Sequence, residues 1–399
     1  MSADTAPLDG LLVLDFTRVL SGPYCTMLLA DMGARVIKIE QPGRGDDTRA
    51  WGPPFLNGES AYFLSINRNK ESLTLDLKHA EAGRVLDPLL RQADVLVENF
   101  RPGTMERLGL GYESVARRCP GLVYCSISGF GQTGPRAAEP GYDAVIQAEA
   151  GLMSITGAAD GPPFRLGVAI ADIVSGMYAT QGIAMALLAR VRTGRGQRVD
   201  VGMLDATAAL LTYQAGIYFA TGATPGRMGN RHPTIVPYET FQGSDGEFVV
   251  AVGNDEQWRR FCGIIGLAPL ADDERFATNR ARVGHYDELR PLLAERLRSR
   301  RRDEWVRDLK AAGVPCGSVR DVAEALEDPQ LDARRMIETV DHVSAGAVRV
   351  LGVPVKLSDT PGAVRTAPPA LGQHTDRILK EDAGLSEGEI ETLRSSKAI

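Results

Sequence analysis

The chain has 399 residues, enough for two or three domains at ~150 residues each, and enough to bury a core without disulfides or metal. Apolar residues make up 44% and charged residues 24%, which excludes wholesale disorder. A formal net charge of −6 argues against bulk attraction to nucleic acid or to an anionic membrane, and neither is expected as a partner.

The first 200 residues alternate short β-rich runs with helical segments. LLVLDF (11–16) predicts a buried strand. Gly22-Pro23 opens a helix that ends at Gly33, and VIKIE (36–40) predicts a second strand. LTLDL (73–77) predicts a third, followed by a helix ending near Gln92. VLVENF (95–100) and LVYCSIS (122–128) add two more, with a short helix after Pro102-Gly103. Strands alternating with helices imply βαβ units and a parallel sheet. Their nearly continuous apolar content implies burial on both faces.

Residues 141–220 read as mostly helical and rich in Gly, Ala, Ser and Thr, a composition suited to tight helix packing. The texture then changes. GATPGRMGNRHP (222–233) reads as a linker or surface loop, and residues 239–252 as a hairpin around GSDG. Charged helices follow from Asp255 to about Gly313. Their run of arginines is followed at once by Asp303 and Glu304, as on a solvated face. VRVLGVPVKLS (348–358) returns to β character, and two short helices split near Gly384 close the chain.

The five cysteines (Cys25, Cys119, Cys125, Cys262, Cys316) form no C-x-x-C, so reduced thiols are expected. The five histidines are scattered without zinc-site spacing, and no metal is expected. There is no secretory signature at the N-terminus and no run of 18 apolar residues, so a cytoplasmic location is expected.

Gly129–Gly134 matches G-x-G-x-x-G after a strand, but Pro135 follows where a helix should open. A nicotinamide or flavin site is therefore not expected. P-loop and nucleophile-elbow motifs are lacking as well. Asp172 stands where an apolar run meets a small-residue helix. An acid there is ordinarily an N-cap. The same placement also suits a covalent nucleophile, with nearby amides to hold an oxyanion.

Several long motifs, in order, carry a more specific reading. They include PLDGLLVLDFTRVLSGPYCTMLLADMGARVIKIEQPGRGDDTR, SINRNKESLTLDLK, ADVLVENFRPGTMERLGLGYE, YCSISGFGQTGP, GVAIADIVSGMYATQGIAMALL, TGRGQRVDV and LGQHTDRIL. Together they make the chain resemble the class III coenzyme A transferases, the family of formyl-CoA transferase and the carnitine CoA-transferases. The texture is most similar to the succinyl-CoA:glutarate subgroup.

The resemblance implies a Rossmann-like doubly wound large domain plus a smaller α+β domain, in an interlocked homodimer. The expected segments are 1–224 and 326–399 for the large domain and 225–325 for the small one. It implies that Asp172, closing Gly167–Asp172, is an ionised nucleophile. It implies coenzyme A contacts at Val19, Leu20, Lys78, Asn99, Phe100, Arg107, Tyr142 and Asp143. Acyl-CoA enters as a substrate, and no metal, flavin or nicotinamide is implied. Favoured substrates are succinyl-CoA and a dicarboxylate such as glutarate, whose distal carboxylate calls for a cation: Arg49, Arg165 or His232. Leu20 replaces the Gln of formyl-CoA transferase, and a tetraglycine loop is missing, which departs from formate or oxalate specificity. Tyr142 replaces the His of the related α-methylacyl-CoA racemases. An isomerase of that kind and a non-catalytic CoA-binding protein are the alternatives.

Overall fold

The computed structural model describes residues 6–399 and is a mixed α/β structure around a six-stranded sheet. Its strands are β1 (Leu12–Asp15), β2 (Arg35–Glu40), β3 (Lys70–Thr74), β4 (Val95–Glu98), β5 (Val123–Ser128) and β6 (Arg198–Gly202). Every pairing is parallel, and the spatial order is β3-β2-β1-β4-β5-β6. The order reverses between β1 and β4. In open parallel sheets that reversal opens a crevice at the carboxyl ends of the strands, where ligands bind.

Alternation along the strands feeds two cores. Leu12, Leu14, Ile37, Leu96 and Tyr124 face one side. There they meet Val85, Leu86, Leu89 and Leu90 of α2 (Ala82–Gln92) and the helices Thr375–Glu381 and Glu387–Ser395. Val13, Val36, Val95, Val97 and Cys125 face the other. There they meet α1 (Ser21–Asp31) and the 24-residue helix α4 (Ile170–Thr193). Each large apolar side chain so buried contributes about 1.5–3 kcal/mol. By length and composition α4 could span a membrane. Its Ala171, Val174, Ala179 and Ile183 are packed into the sheet core instead.

Two strands differ from expectation. β3 begins at Lys70 rather than Leu73. Its charged start is tolerated because the buried Lys70 ammonium bonds Asp15, Asn67 and the Pro23 carbonyl. β6 lies inside the stretch read as helical; Arg198 and Asp200 hide its strand character, and pairing with β5 supplies it.

The chain forms two compact units. One takes in the chain through Leu152, Arg165–Ala215 and Pro329–Ile399. The other takes in Met153–Phe164 and Gly216–Asp328. The second has its own core around Trp258, Phe261 and Trp305, beside a three-stranded antiparallel sheet containing the 238–251 hairpin. Its buried Arg282 is satisfied by Asp255 and by the carbonyls of Val236 and Phe276. The β-rich 348–358 segment supplies one strand of a separate hairpin, Ile337–His342 with Gly346–Leu351.

The small residues of α4 let it approach α1 closely. A Cβ on Gly176 would lie 2.6 Å from the Ser21 carbonyl oxygen. Gly176→Ala should therefore cost about 1–3 kcal/mol through overpacking, read as a lower urea midpoint. An unchanged midpoint would show that the two helices can separate freely.

Candidate active site

The loops after β1, β4 and β5 and the N-terminus of α4 converge on one cleft. It has a volume of about 140 Å³, and its lining includes Arg18, Val19, Ser21, Phe100, Arg101, Gly129, Tyr142 and Asp172. A second cleft of about 570 Å³ lies over the ends of β1, β2 and β3. Lys78, Arg44, Asp47 and Thr104 help to line it, and it shares Arg18 and Phe100 with the first. Both open at the carboxyl ends of the sheet, at the reversal of strand order.

Asp172 is not an N-cap. Ala169 occupies that position, and Asp172 lies in the first turn of α4. The cap bond comes from another helix, α3 (Asp143–Glu149), where Asp143 Oδ1 accepts from the Ala171 N–H at 2.9 Å. Gln147, fully buried, donates to Asp143 Oδ2 at 2.8 Å and accepts from the Leu166 N–H at 2.9 Å. This ties together α3, the segment before α4 and the amide beside the carboxylate.

Burial, then repulsion from Asp143, push the Asp172 carboxyl up to about 7, while hydrogen bonds from the Ser21 hydroxyl and backbone pull the other way. A helix N-terminus favours an anion by only ~0.3–1 kcal/mol, less than one pH unit's worth, so burial prevails. An ionised Asp172 therefore works against its burial and against the neighbouring Asp143 charge.

The turn bearing Tyr142 and Asp143 is held by direct backbone contact. A Cβ on Gly129 would lie 2.7 Å from the Gly141 Cα, and a Cβ on Gly141 would lie 2.4 Å from the Gly129 Cα. Only paired glycines allow this approach. Within the glycine-rich loop, the Gln132 N–H donates to Asp200 at 3.1 Å and so is not free for an oxyanion.

The other sequence-derived candidates separate by role. Val19 lines the Asp172 cleft with φ +70°, a left-handed conformation that costs a non-glycine residue about 1–2 kcal/mol. Leu20 is buried against Met27 and Ile66, with Ala169 and Ile173 packed nearby, and supports the loop rather than lining the cleft. Asn99 spends its side chain on Arg18, accepting from its N–H at 2.9 Å and donating to its carbonyl at 2.7 Å. Phe100 and Lys78 line the larger cleft. Arg107 stands one bond outside it, donating to Thr104 Oγ1 at 3.0 Å. Tyr142 is 65% exposed at the mouth of the smaller cleft.

Of the three cation candidates, neither Arg49 nor Arg165 lines that cleft. Arg49 is committed to Glu40, at 2.8 Å to both oxygens, and lies over the Phe63 ring at 3.6 Å. Arg165 is exposed and bonds the Leu166 carbonyl. His232 belongs to the second unit and stacks on Tyr238. The cations that line the cleft are Arg18 and Arg101. Sequence reasoning missed these two, along with Ser21 and Tyr62. Arg18, Ser21 and Arg101 adjoin motif residues that were singled out, so proximity was the available signal. Burial, and then the negative charges of Asp172 and Asp143, push the Tyr62 phenol up to about 12, which places it in the same electrostatic field.

The Asp172 environment predicts a carboxyl titration midpoint near 7 by carbon-13 NMR. Asp143→Asn removes a repelling charge and should lower it. The folded state holds this proton more tightly than the unfolded chain does, so wild type loses stability as pH rises from about 4 to about 7. Asp172→Asn should lack that loss. A midpoint near 4 would contradict the assignment.

A family model described as CoA-transferase family III matches residues 8–375. A succinyl-CoA:glutarate CoA-transferase from Mus musculus is 42% identical, over 98% of this chain and 90% of its own length. An acetyl-CoA:oxalate CoA-transferase from Acetobacter aceti is 45% identical, over 94% of this chain and 96% of its own. The crystal structure of a CAIB/BAIF family protein from Brucella suis matches with a TM-score of 0.84 at 43% identity, covering 94% of this chain and 99% of that one.

Proposed function

This chain belongs to CoA-transferase family III and is a CoA-transferase, and from that premise we propose that it moves coenzyme A from succinyl-CoA to a free dicarboxylate such as glutarate. One observation carries the reading. A partly buried carboxylate, Asp172, lines a small cleft that shares Arg18 and Phe100 with a larger one bearing Lys78 and Arg44. The larger cleft suits the phosphates and the thin arm of coenzyme A, with cations for the former and Phe100 against the latter. Arg18 and Arg101 line that cleft, and Arg49 is paired with Glu40, so our reading gives the distal carboxylate of an acceptor to the former two.

In the mechanism we propose, the Asp172 carboxylate attacks the thioester carbonyl, the C–S bond breaks, and a mixed anhydride and the CoA thiolate result. The thiolate then attacks the aspartyl carbonyl and releases the donor acid as a carboxylate. The acceptor carboxylate attacks this aspartyl-CoA thioester, expelling the thiolate again. The thiolate takes the new acyl group and frees Asp172. One thioester replaces another, so no ATP is consumed. Splitting the exchange into covalent steps lowers each barrier. Only the ionised fraction of Asp172 is nucleophilic, so turnover should rise with pH through about 7.

The test mixes succinyl-CoA with single free acids, namely formate, oxalate, glutarate, malate and citramalate, and reads new acyl-CoA species by mass spectrometry. Wild type should form dicarboxyl-CoA products, and Asp172→Ala should lose roughly a thousandfold or more. Activity surviving in Asp172→Ala would sink the covalent mechanism. A product from formate alone would sink the dicarboxylate assignment.

We propose further that the protein works as a homodimer. The outer face of α4 leaves Met177, Met185, Leu188 and Val191 exposed at 53%, 58%, 59% and 82%. A second copy would cover this apolar stripe. Sedimentation should give a dimer of 42.9 kDa chains, and Leu188→Glu should shift it toward monomer. A monomeric wild type would end this proposal.

A further inference from the structure

Two charged groups lie in the floor of the larger cleft, hidden from solvent and spent on each other and on the β1 loop. Lys38 of β2 and Asp46 have side chains 0% and 1% exposed, with Nζ 2.9 Å from Asp46 Oδ2. Lys38 also donates to the Thr17 carbonyl at 2.7 Å. The other oxygen, Asp46 Oδ1, accepts from the Val19 N–H at 3.2 Å, the Thr48 N–H at 2.9 Å and the Thr48 hydroxyl at 2.8 Å. The Asp46 N–H in turn donates to Glu40 Oε1 at 2.9 Å. One buried ion pair thus grips the β1 loop on both sides of Arg18.

That loop needs a grip. Val19 is β-branched and sits at φ +70°, a conformation such residues rarely adopt. Strained residues persist only where their surroundings over-determine them, and they gather at functional sites. Two residues on, Ser21 lines the same cleft as Asp172 and is the group that pulls the Asp172 carboxyl back down. Between them, Leu20 packs against Ile66 with Ala169 and Ile173 at the start of α4. Relaxing Val19 would carry Leu20 and Ser21 away from the carboxylate.

We propose that Asp46, anchored by Lys38, is a positioning residue for CoA transfer: it holds Val19 left-handed and thereby sets Ser21 against Asp172. The inference rests on the transferase reading only for its kinetic readout. Asp46 acts through the loop and touches no reacting atom.

The test is a cycle of wild type, Asp46→Ala, Val19→Gly and the double variant. Glycine adopts a positive φ without strain, so it removes the need for the grip. Asp46→Ala should lower kcat tenfold or more with less than a threefold change in the donor KM. It should also raise the Asp172 titration midpoint, because the Ser21 bonds are lost. Adding Val19→Gly should recover most of both effects. Equal losses with and without Val19→Gly would overturn the proposal, since a merely structural Asp46 is indifferent to residue 19. An unmoved Asp172 midpoint would overturn it too, and that readout is independent of whether coenzyme A is transferred. Asp46→Ala leaves Lys38 buried and unpaired, so Lys38→Met with Asp46→Leu removes both charges together where the single variant does not fold. The same loss and the same recovery are expected there.

Discussion

A charge that leaves water must find a partner, and two lysines at the heart of this sheet impose that condition on everything above them. Lys38 and Lys70 are both fully buried. Lys70 meets Asp15 at 3.1 Å, and Asp15 also accepts from Thr17 at the start of the loop and from Thr26 on α1. Burial opposes ionisation of Asp15, but the two lysines and the threonine bonds outweigh it and hold its carboxyl well below the usual range. The end of β1, the interior of β2, the start of β3 and the first turns of α1 are thus parts of one bonded cluster. The clefts rest on that cluster rather than on flexible loops.

Asp172 shows the opposite balance. The cluster below pairs its carboxylates with lysines, whereas Asp172 is partly buried beside another acid and only Ser21 among the groups acting on it favours its charge. An under-solvated carboxylate is a stronger nucleophile when ionised, and it is ionised less often. Placing it costs stability, and the Asp143–Gln147 bridge and the α1–α4 contact supply the rigidity that keeps it in place. Perturbed carboxyls in clefts are common markers of function for this reason.

Much of this arrangement was legible in the residues. Apolar runs marked four of the six strands near their observed bounds, because strands buried on both faces cannot hide their composition. β3 and β6 were harder. Lys70 reads as a surface residue until its three partners are known, and Arg198 and Asp200 give β6 a polar texture. At the site, the order of long motifs pointed to Asp172, Val19 and Tyr142. The clamp candidates were harder to weigh, because an arginine's sequence does not say whether its charge is already spent. Arg49 has its carboxylate in Glu40, nine residues away, and only the folded chain shows it. Ser21 offered only its nearness to Val19 and Leu20 as a signal, since its place beside Asp172 comes from the packing of α1 on α4.

The contact between Gly129 and Gly141 bears on how such a site can change over generations. Neither position accepts a side chain unless the other strand of backbone withdraws, so neither can drift alone. The turn that presents Tyr142 is therefore inherited as a unit with the glycine-rich loop. Change at the mouth of the cleft must come instead from side chains that face open space, such as Arg101 and Tyr142 itself, while the frame behind them stays constant. A lineage built on this frame would diversify by repainting the mouth of the cleft and leaving its floor untouched.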